Sequence, residues 1–506
     1  MIPYDQLRVI DASIPAERQG AKRHYGVHPY FTRRPYNVVR QYIQHYSREG
    51  DRVLDPFGGS GVTAIEAFLS NRIGIQNDIN PLANFIAKGV ADLSKGTLTD
   101  YTTALRNVCD RCEQRVLGLD DADNTAISRL LEQLPLPANV RLPANSDVQH
   151  YHDLFSPRQL AALAVIREAI DDIPNRYARS AIRLAWSAAL TKINRTFLSA
   201  EGRAESRGGS SIFSIYRYKV AAKPVELPPW PTFYERAQNV LAAKEEIDRE
   251  IDYRKRTGGF SGKFEVYHDD IDALRDQIKP VDYIFTDPPY GGHISYIDLS
   301  ILWNAWNGTL PSFKDRQREL IVGGDLNLSE DVYVKRLDQS IRTCFALLKP
   351  KHWLSVVFQH WSTAYFDAIL TAAAEVGGDL RAAISQIGDP VWSMHKKKGK
   401  QSVLAGELIL TFLKTDKPKT VDANKPFDVE AAIVRILDET SNGTVYGEYL
   451  LNRVVVEAWQ SGALGSLNIN RTDFADMVAR QGWSYDDKAH QWRHAGIMSV
   501  PLLGRL

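Results

Sequence analysis

DRVLDPFGGSGVTAIEAFLSNRIGIQNDIN, residues 51–80, is the stretch that decides the fold. Val53 and Leu54 end a short apolar run, glycines follow at positions 58, 59 and 61, and residues 62–69 have the spacing of an amphipathic helix. Glycine is favoured where a ligand must touch the backbone, because a Cβ would block the approach and would disfavour positive φ. The pattern predicts a strand, a glycine turn that holds a ligand, and a helix.

Residues 59–64, GSGVTA, fit the G-x-G-x-x-G/A fingerprint of nucleotide-binding α/β folds, and Asp78 follows about twenty residues later. A carboxylate at that position can accept both hydroxyls of a ribose. No Lys-Ser/Thr pair follows the glycines, which argues against a triphosphate P-loop. Taken alone, the same letters also fit a tight turn in an ordinary α/β unit.

A second motif, TDPPYG at residues 286–291, directly follows the apolar run VDYIF at residues 281–285. Two prolines end the strand and restrict φ, so that Asp287 and the carbonyl of Pro288 are held at its carboxyl end. Ligands of open α/β sheets bind at that edge. We therefore expect Asp287 and the glycine turn to face each other across neighbouring carboxyl ends of one sheet.

DPFGGSG at residues 55–61 together with DPPY at residues 287–290 resembles the S-adenosylmethionine-dependent DNA amino-methyltransferases, which methylate adenine N6 or cytosine N4. The resemblance covers residues 20–95 and 264–414. It implies a Rossmann-like methyltransferase sheet of the α/β class with S-adenosylmethionine as cofactor. It further implies that the cofactor is bound by residues in and around the turn, namely His28, Tyr30, Asp55, Pro56, Phe57, Gly58, Gly59, Gly61, Asp78 and Ile79.

The same resemblance implies catalytic roles for Asp287, Pro288, Pro289 and Tyr290. An exocyclic aromatic amine is a weak nucleophile because its lone pair is delocalised, and two fixed acceptors, the Asp287 carboxylate and the Pro288 carbonyl, would orient it. Tyr290 would stack on a base extruded from the duplex. Adenine is favoured over cytosine, because Asp at the first motif position is more typical of N6 enzymes. Cytosine C5 methylation is disfavoured because no Pro-Cys pair occurs.

FEVY at residues 264–267 predicts a further strand, and Asp269 and Asp270 follow it. Either carboxylate suits a hydrogen bond to the adenine amino group of the cofactor, with a slight preference for Asp270. Either could instead cap the helix that is predicted to begin at residue 271. Beyond DPPY, His293 and Tyr296 are expected to touch the substrate.

From about residue 96 to residue 262, helical periodicity replaces the α/β alternation, which predicts a large, mainly helical insertion. It contains Arg203, Arg207, Tyr216 and Arg217 around a glycine-serine loop, and such cations can neutralise nucleic-acid phosphates. A solvated loop before an alternating strand at residues 212–220 explains the same letters. We take the four residues as candidate substrate contacts and the insertion as a target-recognition domain.

Four segments follow from these patterns: residues 1–95 and 263–414 as the two parts of the methyltransferase domain, residues 96–262 as the insertion, and residues 426–506 as a small C-terminal domain. Residues 414–425 are polar and contain proline, as in a linker. The last segment combines three short helical patterns with a hairpin pattern at Trp483 and Trp492. We expect a winged-helix-like domain.

Composition narrows the class of protein. The net charge is +1, so a nucleic-acid surface must come from local clustering of cations. No apolar run reaches the length of a membrane span and the first residues lack a signal-peptide layout, which predicts a cytoplasmic protein without membrane contact. Cys109 and Cys112 form a C-x-x-C without a second pair of zinc ligands, so we expect structural thiols and no metal.

These expectations describe a site-specific DNA methyltransferase that acts on adenine N6. Cytosine N4 methylation and methylation of an RNA base amine remain the alternatives. An NAD-dependent oxidoreductase shares the glycine fingerprint but has no use for DPPY. The sequence has no nuclease or helicase signature, so cleavage within a restriction-modification or other defence system would need a separate partner.

Overall fold

A computed structural model describes residues 2–198, 209–221, 225–292, 294–359, 363–386, 407–419, 425–440, 443–463, 471–486 and 491–494. The protein is of the mixed α/β class, with a mostly parallel sheet of seven strands. Its contacts divide the chain into two compact units. The first unit holds Glu17–Ile278 and Gly291–Tyr333, and the second holds Met1–Ala16, Lys279–Tyr290 and Val334–Leu506. The domain boundaries expected from the sequence stay a prediction.

The first unit contains five of the strands: β1 (Arg52–Asp55), β2 (Ile73–Asn77), β3 (Phe197–Leu198), β4 (Gly209–Ser210) and β5 (Lys263–Tyr267). Its helices from α1 to α9 are α1 (Tyr36–Tyr46), α2 (Val62–Leu69), α3 (Pro81–Asp92), α4 (Leu98–Leu117), α5 (Asn124–Leu131), α6 (Pro157–Asp171), α7 (Arg176–Ala189), the single-turn helix α8 (Ser211–Ser214) and α9 (Pro229–Thr257). The short helices α10 (Ile271–Leu274), α11 (Tyr296–Leu299), α12 (Ile301–Asn307) and α13 (Phe313–Arg318) follow.

Three parallel strands of this unit run in the order β5-β2-β1. Leu54 pairs with Ile75, and Gln76 pairs with Val266, so the carboxyl ends of the three strands lie at one edge. Residues 78–262 separate β2 from β5 in the chain, and within them α4, α6, α7 and α9 pack against one another. The strand order therefore brings together residues that are far apart in sequence.

The second unit contains β6 (Val281–Thr286), α14 (Glu330–Leu347, which begins in the first unit), β7 (Leu348–Phe358), α15 (Thr363–Glu375), β8 (Gly378–Gln386) and β9 (Glu407–Lys414). Strand β6 is buried along its whole length and is parallel to β7, and β9 pairs antiparallel with both β7 and β8. DPPY begins at Asp287, directly after the last residue of β6. This unit therefore positions the second motif.

The chain continues with α16 (Val429–Asp438), β10 (Thr444–Tyr446), α17 (Gly447–Gln460), α18 (Arg471–Arg480), β11 (Trp483–Asp486) and β12 (Gln491–His494). The three strands form an antiparallel sheet in the order β10-β12-β11. Trp483 and Trp492 lie on the predicted hairpin, and both are buried in a core with Ile433, Leu450 and Val478. Helix α17 packs against β8.

Residues 212–220 differ from the predicted alternating strand. The chain forms the single-turn helix α8, because Ser210 caps its start, and then a loop. Tyr218 in that loop is fully buried, and its hydroxyl donates to the carbonyl of Leu299 over 2.7 Å and accepts from the backbone N–H of Leu302 over 3.1 Å. The alternation of polar and aromatic residues in this segment therefore does not mark a strand. It reflects the burial of Tyr218 and its hydrogen bonds to residues 299 and 302. Within the described residues, no helix has both the length and the apolar character of a membrane span.

Candidate active site

The chain leaves the carboxyl end of β1 and turns through residues 56–61 into α2. The N–H of Gly58 donates to the carbonyl of Asn77 over 2.9 Å, and the N–H of Gly61 donates to the carbonyl of Gly58 over 2.8 Å. Gly61 has a φ of +90°, and a Cβ there would lie 2.5 Å from the Cβ of Ala87. A Cβ on Gly58 would lie 2.1 Å from Oε1 of Gln76. Both glycines are therefore required by close packing inside the protein.

Asp55 and the residues beside it shape this turn. The buried carboxylate of Asp55 accepts hydrogen bonds from the N–H of Phe57 at 3.2 Å and from the hydroxyl of Thr63 at 2.8 Å. The carbonyl of Pro56 accepts from the side-chain amide of Asn77 at 3.1 Å. These contacts join β1 to α2 and β2, and they place the predicted residues Asp55, Pro56 and Phe57 at the turn.

Asp78 lies against the same turn at the end of β2. One carboxylate oxygen accepts from the N–H of Gly59 at 2.9 Å, and the other accepts from the N–H of Asn80 at 2.8 Å. Burial raises the pKa of Asp78 to about 6, although these two hydrogen bonds and His268 act in the opposite direction. The neighbouring carbonyl of Ile79 is 3.0 Å from Nε2 of His268. Asp78 is therefore a carboxylate that titrates close to neutral pH and touches the glycine turn.

His28 and Tyr30 precede α1 in the first unit. His28 is fully buried, with Nε2 3.0 Å from the hydroxyl of Ser187, and burial lowers its pKa to about 3. It is a neutral group that joins this segment to α7. The ring of Tyr30 lies 3.2 Å from the place of a Cβ on Gly59 and stacks on Tyr296 at a centroid distance of 6.3 Å. An aromatic ring therefore covers the turn.

Arg33 contacts the glycine turn, and the sequence analysis did not predict this. Its Nε donates to the hydroxyl of Ser60, within the glycine turn, over 3.0 Å, and a terminal nitrogen donates to the carbonyl of His28. Burial lowers the pKa of Arg33 to about 10. The pair Arg33-Arg34 before Pro35 was visible in the sequence, but only its contact with Ser60 identifies Arg33 as part of the site.

Asp269 and Asp270 follow β5 and are both engaged within the first unit. Asp270 caps α10 by accepting from the N–H of Ala273 at 2.8 Å, as in the capping alternative considered above. Arg318 pairs with both carboxylates, at 2.9 Å from Asp269. Gln277 donates to the second oxygen of Asp269 at 3.0 Å. A role for either residue in cofactor binding stays a prediction, and it would require exchange of these partners.

Glu319 is a second group that the sequence reasoning missed. It is 7% exposed and accepts a hydrogen bond from the N–H of Ile297 over 3.0 Å, next to Tyr296. Burial, Asp298 and Asp78 together raise the pKa of Glu319 to about 8. Nothing in the local sequence RELIVGG marks this carboxyl, because its burial results from the tertiary fold. A proton is therefore held at neutral pH close to the predicted substrate residue Tyr296.

The remaining substrate candidates are Arg203, Arg207, Tyr216, Arg217 and His293. Arg203, Arg207 and His293 lie outside the described residues. Tyr216 has a φ of +53° and is partly buried, and Arg217 pairs with Asp147. A phosphate would have to compete with that carboxylate for Arg217.

DPPY directly follows β6 in the second unit. Pro288 is buried, whereas Asp287, Pro289 and Tyr290 are partly buried. The hydroxyl of Tyr290 donates to the carboxylate of Asp287, and the Tyr290 ring meets the edge of Phe358 at a centroid distance of 5.1 Å. The acid and the aromatic ring predicted to hold the base are thus presented together at a strand end.

The segment that contains the glycine turn matches a known family model. A family model described as DNA methylase, of the N6/N4 methyltransferase type, matches residues 11–87. The resemblance to the N6/N4 amino-methyltransferases is confirmed. The match covers β1, the glycine turn, α2, β2 and the first part of α3, and it ends before DPPY.

Other comparisons add less. No curated protein is similar enough in sequence to count as a relative. A solved structure of the rRNA methyltransferase aviRa from Streptomyces viridochromogenes has 12% sequence identity, and the alignment covers 77% of this chain and 87% of that chain with a TM-score of 0.27. A TM-score this low carries no argument about this chain.

Proposed function

We propose that the protein is an S-adenosylmethionine-dependent DNA methyltransferase that methylates the exocyclic amine of a flipped base, with adenine N6 as the substrate group. The observation that carries the proposal is the contact of Tyr290 with Asp287 in a DPPY motif at the end of a buried strand. It occurs in a chain whose first part matches the DNA methylase family. An acceptor and an aromatic ring are the two features that binding of a base amine requires.

The groups around the glycine turn fit S-adenosylmethionine, which supplies a methyl group on a sulfonium. Asp78 is placed to accept ribose hydroxyls, and Tyr30 covers the turn with an aromatic ring. Oε1 of Gln76 is buried beside Gly58 without a hydrogen-bond partner among the described residues, which suits a ligand that donates there. We infer that these residues and Arg33 hold the cofactor.

Catalysis then rests on orientation by the DPPY residues. The carboxylate of Asp287 and the carbonyl of Pro288 accept the two hydrogens of the target amine, which directs the nitrogen lone pair toward the methyl carbon. S-adenosylmethionine bound at the turn would supply the methyl group to the amine nitrogen, and the electron pair of its S–C bond would remain on its sulfur. Positive charge develops on the nitrogen, and Asp287 stabilises it and then takes one proton. Tyr290 gives up its hydrogen bond to Asp287 and stacks on the base.

We infer contact with DNA for Arg203, Arg207, Tyr216 and Arg217, and contact with the substrate base for His293 and Tyr296. Since the net charge is only +1, such a local cluster must supply the attraction to phosphates. The target-recognition role of the helical segment, the winged-helix character of the C-terminal segment and a separate nuclease or defence partner stay predictions.

Methyl transfer with labelled S-adenosylmethionine tests the proposal. The full chain is incubated with unmethylated DNA and, separately, with RNA, and the products are digested to nucleosides for mass spectrometry. We expect label in N6-methyladenine from DNA. We also expect Asp287→Asn to lower the rate by roughly 10²- to 10⁴-fold while cofactor binding is retained.

The alternatives are distinguishable in the same experiment. Label in N4-methylcytosine would move the target to cytosine, and label in RNA alone would overturn the DNA assignment. Full activity of Asp287→Asn would overturn the site. Glu132→Gln, a change of an exposed carboxylate, serves as the control and is expected to keep the wild-type rate.

A further inference from the structure

Arg33 differs from two other partly buried arginines near the turn, Arg40 and Arg52. Arg40, on α1, pairs with Glu66 and with Glu250, and Arg52 pairs with Glu265 at 3.1 Å. Arg33 bonds to a hydroxyl and to a backbone carbonyl, and among the residues that the structure describes no carboxylate pairs with it. A desolvated cation without a counter-ion is unfavourable. The Arg33 site therefore favours an anion.

The surroundings of Arg33 do not remove its charge. Burial lowers its pKa to about 10, so the guanidinium remains protonated at neutral pH. Its neighbour His28 is neutral, in part because Arg33 lowers the pKa of the imidazole. The hydroxyl of Ser60 and the carbonyl of His28 are neutral dipoles, so they stabilise the positive charge of Arg33 without neutralising it. A bound anion would gain charge-assisted hydrogen bonds from the remaining N–H groups.

Opposite charges flank consecutive residues of the turn. Arg33 is bonded to the side chain of Ser60, while the carboxylate of Asp78 is bonded to the N–H of Gly59. The start of α2, with Gly61 as its N-cap, adds the partial positive charge of free N–H groups on the Ser60 side. The turn thus has a positive end and a negative end.

S-adenosylmethionine has the matching polarity. Its ribose presents two hydroxyl donors, which suit Asp78, and its amino-acid end carries a carboxylate, which suits a guanidinium. We propose that Arg33 binds the carboxylate of the cofactor's methionyl group and so fixes the direction in which the cofactor lies along the turn. This inference rests on the proposed use of S-adenosylmethionine.

Paired ligands test Arg33 directly. Calorimetry gives the dissociation constants of the full chain for S-adenosylmethionine and for decarboxylated S-adenosylmethionine, which lacks only the carboxylate. We expect the wild type to prefer the complete cofactor by roughly ten- to one-hundred-fold, the effect of a charged hydrogen bond. In Arg33→Gln this ratio falls toward one, and the whole loss falls on the complete cofactor. Arg33→Lys, which keeps a point charge, gives an intermediate ratio.

Arg23→Gln is the matched control, because Arg23 is an exposed arginine of the same segment, and its ratio should equal that of the wild type. If Arg33→Gln weakens both ligands equally, Arg33 only holds Ser60 and the inference is wrong. A wild-type ratio of one also overturns it while leaving the proposed function intact. Normal discrimination between the ligands without methyl transfer to DNA or RNA overturns the proposed function alone, and failure of the wild type to bind either ligand overturns both.

Discussion

The phenol of Tyr290 donates a hydrogen bond to the carboxylate of Asp287, so the two side chains proposed to hold the target base contact each other. The ring of Phe358 packs against the Tyr290 ring in a T-shaped arrangement. An entering amine would take over the acceptor oxygen and release the phenol, and the ring would then be available for stacking. The ring and the hydroxyl of Tyr290 therefore have separable roles.

Two substitutions at Tyr290 distinguish these roles. Tyr290→Phe keeps the ring and removes the competing donor, so kcat/KM for methyl transfer should stay within about threefold of the wild type, since an exchanged hydrogen bond has a small net effect. Tyr290→Ala removes the stacking surface and should lower kcat/KM by roughly ten- to one-hundred-fold. Equal losses in the two variants would assign the effect to the hydroxyl and contradict the stacking role.

Cofactor affinity should depend on the ionisation of Asp78. Its pKa is raised to about 6, and only the carboxylate accepts two ribose hydroxyls. Affinity for S-adenosylmethionine, measured by calorimetry, should therefore increase by up to about fivefold between pH 5 and pH 6, by up to about tenfold between pH 5 and pH 7, and level off above pH 7. Asp78→Asn should bind more weakly at pH 7 and lose this rise. A wild-type affinity that is constant from pH 5 to pH 7 would contradict the assignment.

Glu319 should make the protein less stable as the pH rises. Its folded-state pKa of about 8 lies above the ordinary value of 4.5, so between these values the unfolded chain has released the proton while the folded chain still holds it. Each pH unit in this interval then lowers the free energy of unfolding by at most about 1.4 kcal/mol. Glu319→Gln has no such titration and should be more stable than the wild type at pH 8.

Urea unfolding at pH 5 and pH 8 measures this difference. The stability difference between Glu319→Gln and the wild type should grow with pH, whereas the exposed substitution Glu132→Gln should change stability equally at both values. A stability difference between Glu319→Gln and the wild type that is the same at pH 5 and pH 8 would contradict a proton held on Glu319 in the folded protein.

The salt dependence of DNA binding should distinguish the arginines of the C-terminal segment from Arg203 and Arg207. In the C-terminal segment, Arg435, Arg453, Arg480 and Arg493 each pair with a carboxylate, so they are poor partners for phosphates. Arg480→Gln should therefore leave the slope of log affinity for DNA against log salt unchanged. Arg203→Gln and Arg207→Gln should each reduce the slope by about one, the value for one lost phosphate contact. A reduced slope for Arg480→Gln would place DNA on the C-terminal segment.

Local patterns predicted the parts of the site whose shape depends on neighbours in the chain. The glycine turn with Asp78 and the DPPY strand end are of this kind, because glycine, proline and a buried strand restrict the backbone over a few residues. Asp270 at the N-cap of α10 was one of two readings, and its capping contact is a local one. Ser210 and Tyr218 could not be read in this way, because a long-range anchor decides the conformation between them.

Arg33 and Glu319 are two residues near the proposed site that the sequence did not predict. A charged residue in a polar stretch is expected to be exposed, and only the fold reveals how far each side chain is buried and which groups it contacts. For Arg33 this is the contact with Ser60, and for Glu319 it is burial near Tyr296. Such groups are found from their environment and not from their spacing.

The pairing of β2 with β5 has a consequence for synthesis on the ribosome. Strand β2 emerges early, but β5 begins only at Lys263, so the outer edge of β2 stays unpaired until residues 78–262 have been translated. At roughly 5–20 residues per second this interval lasts on the order of ten to forty seconds. During that time the nascent chain exposes a strand edge that can pair with other chains, and the helices translated in the meantime are available to shield it.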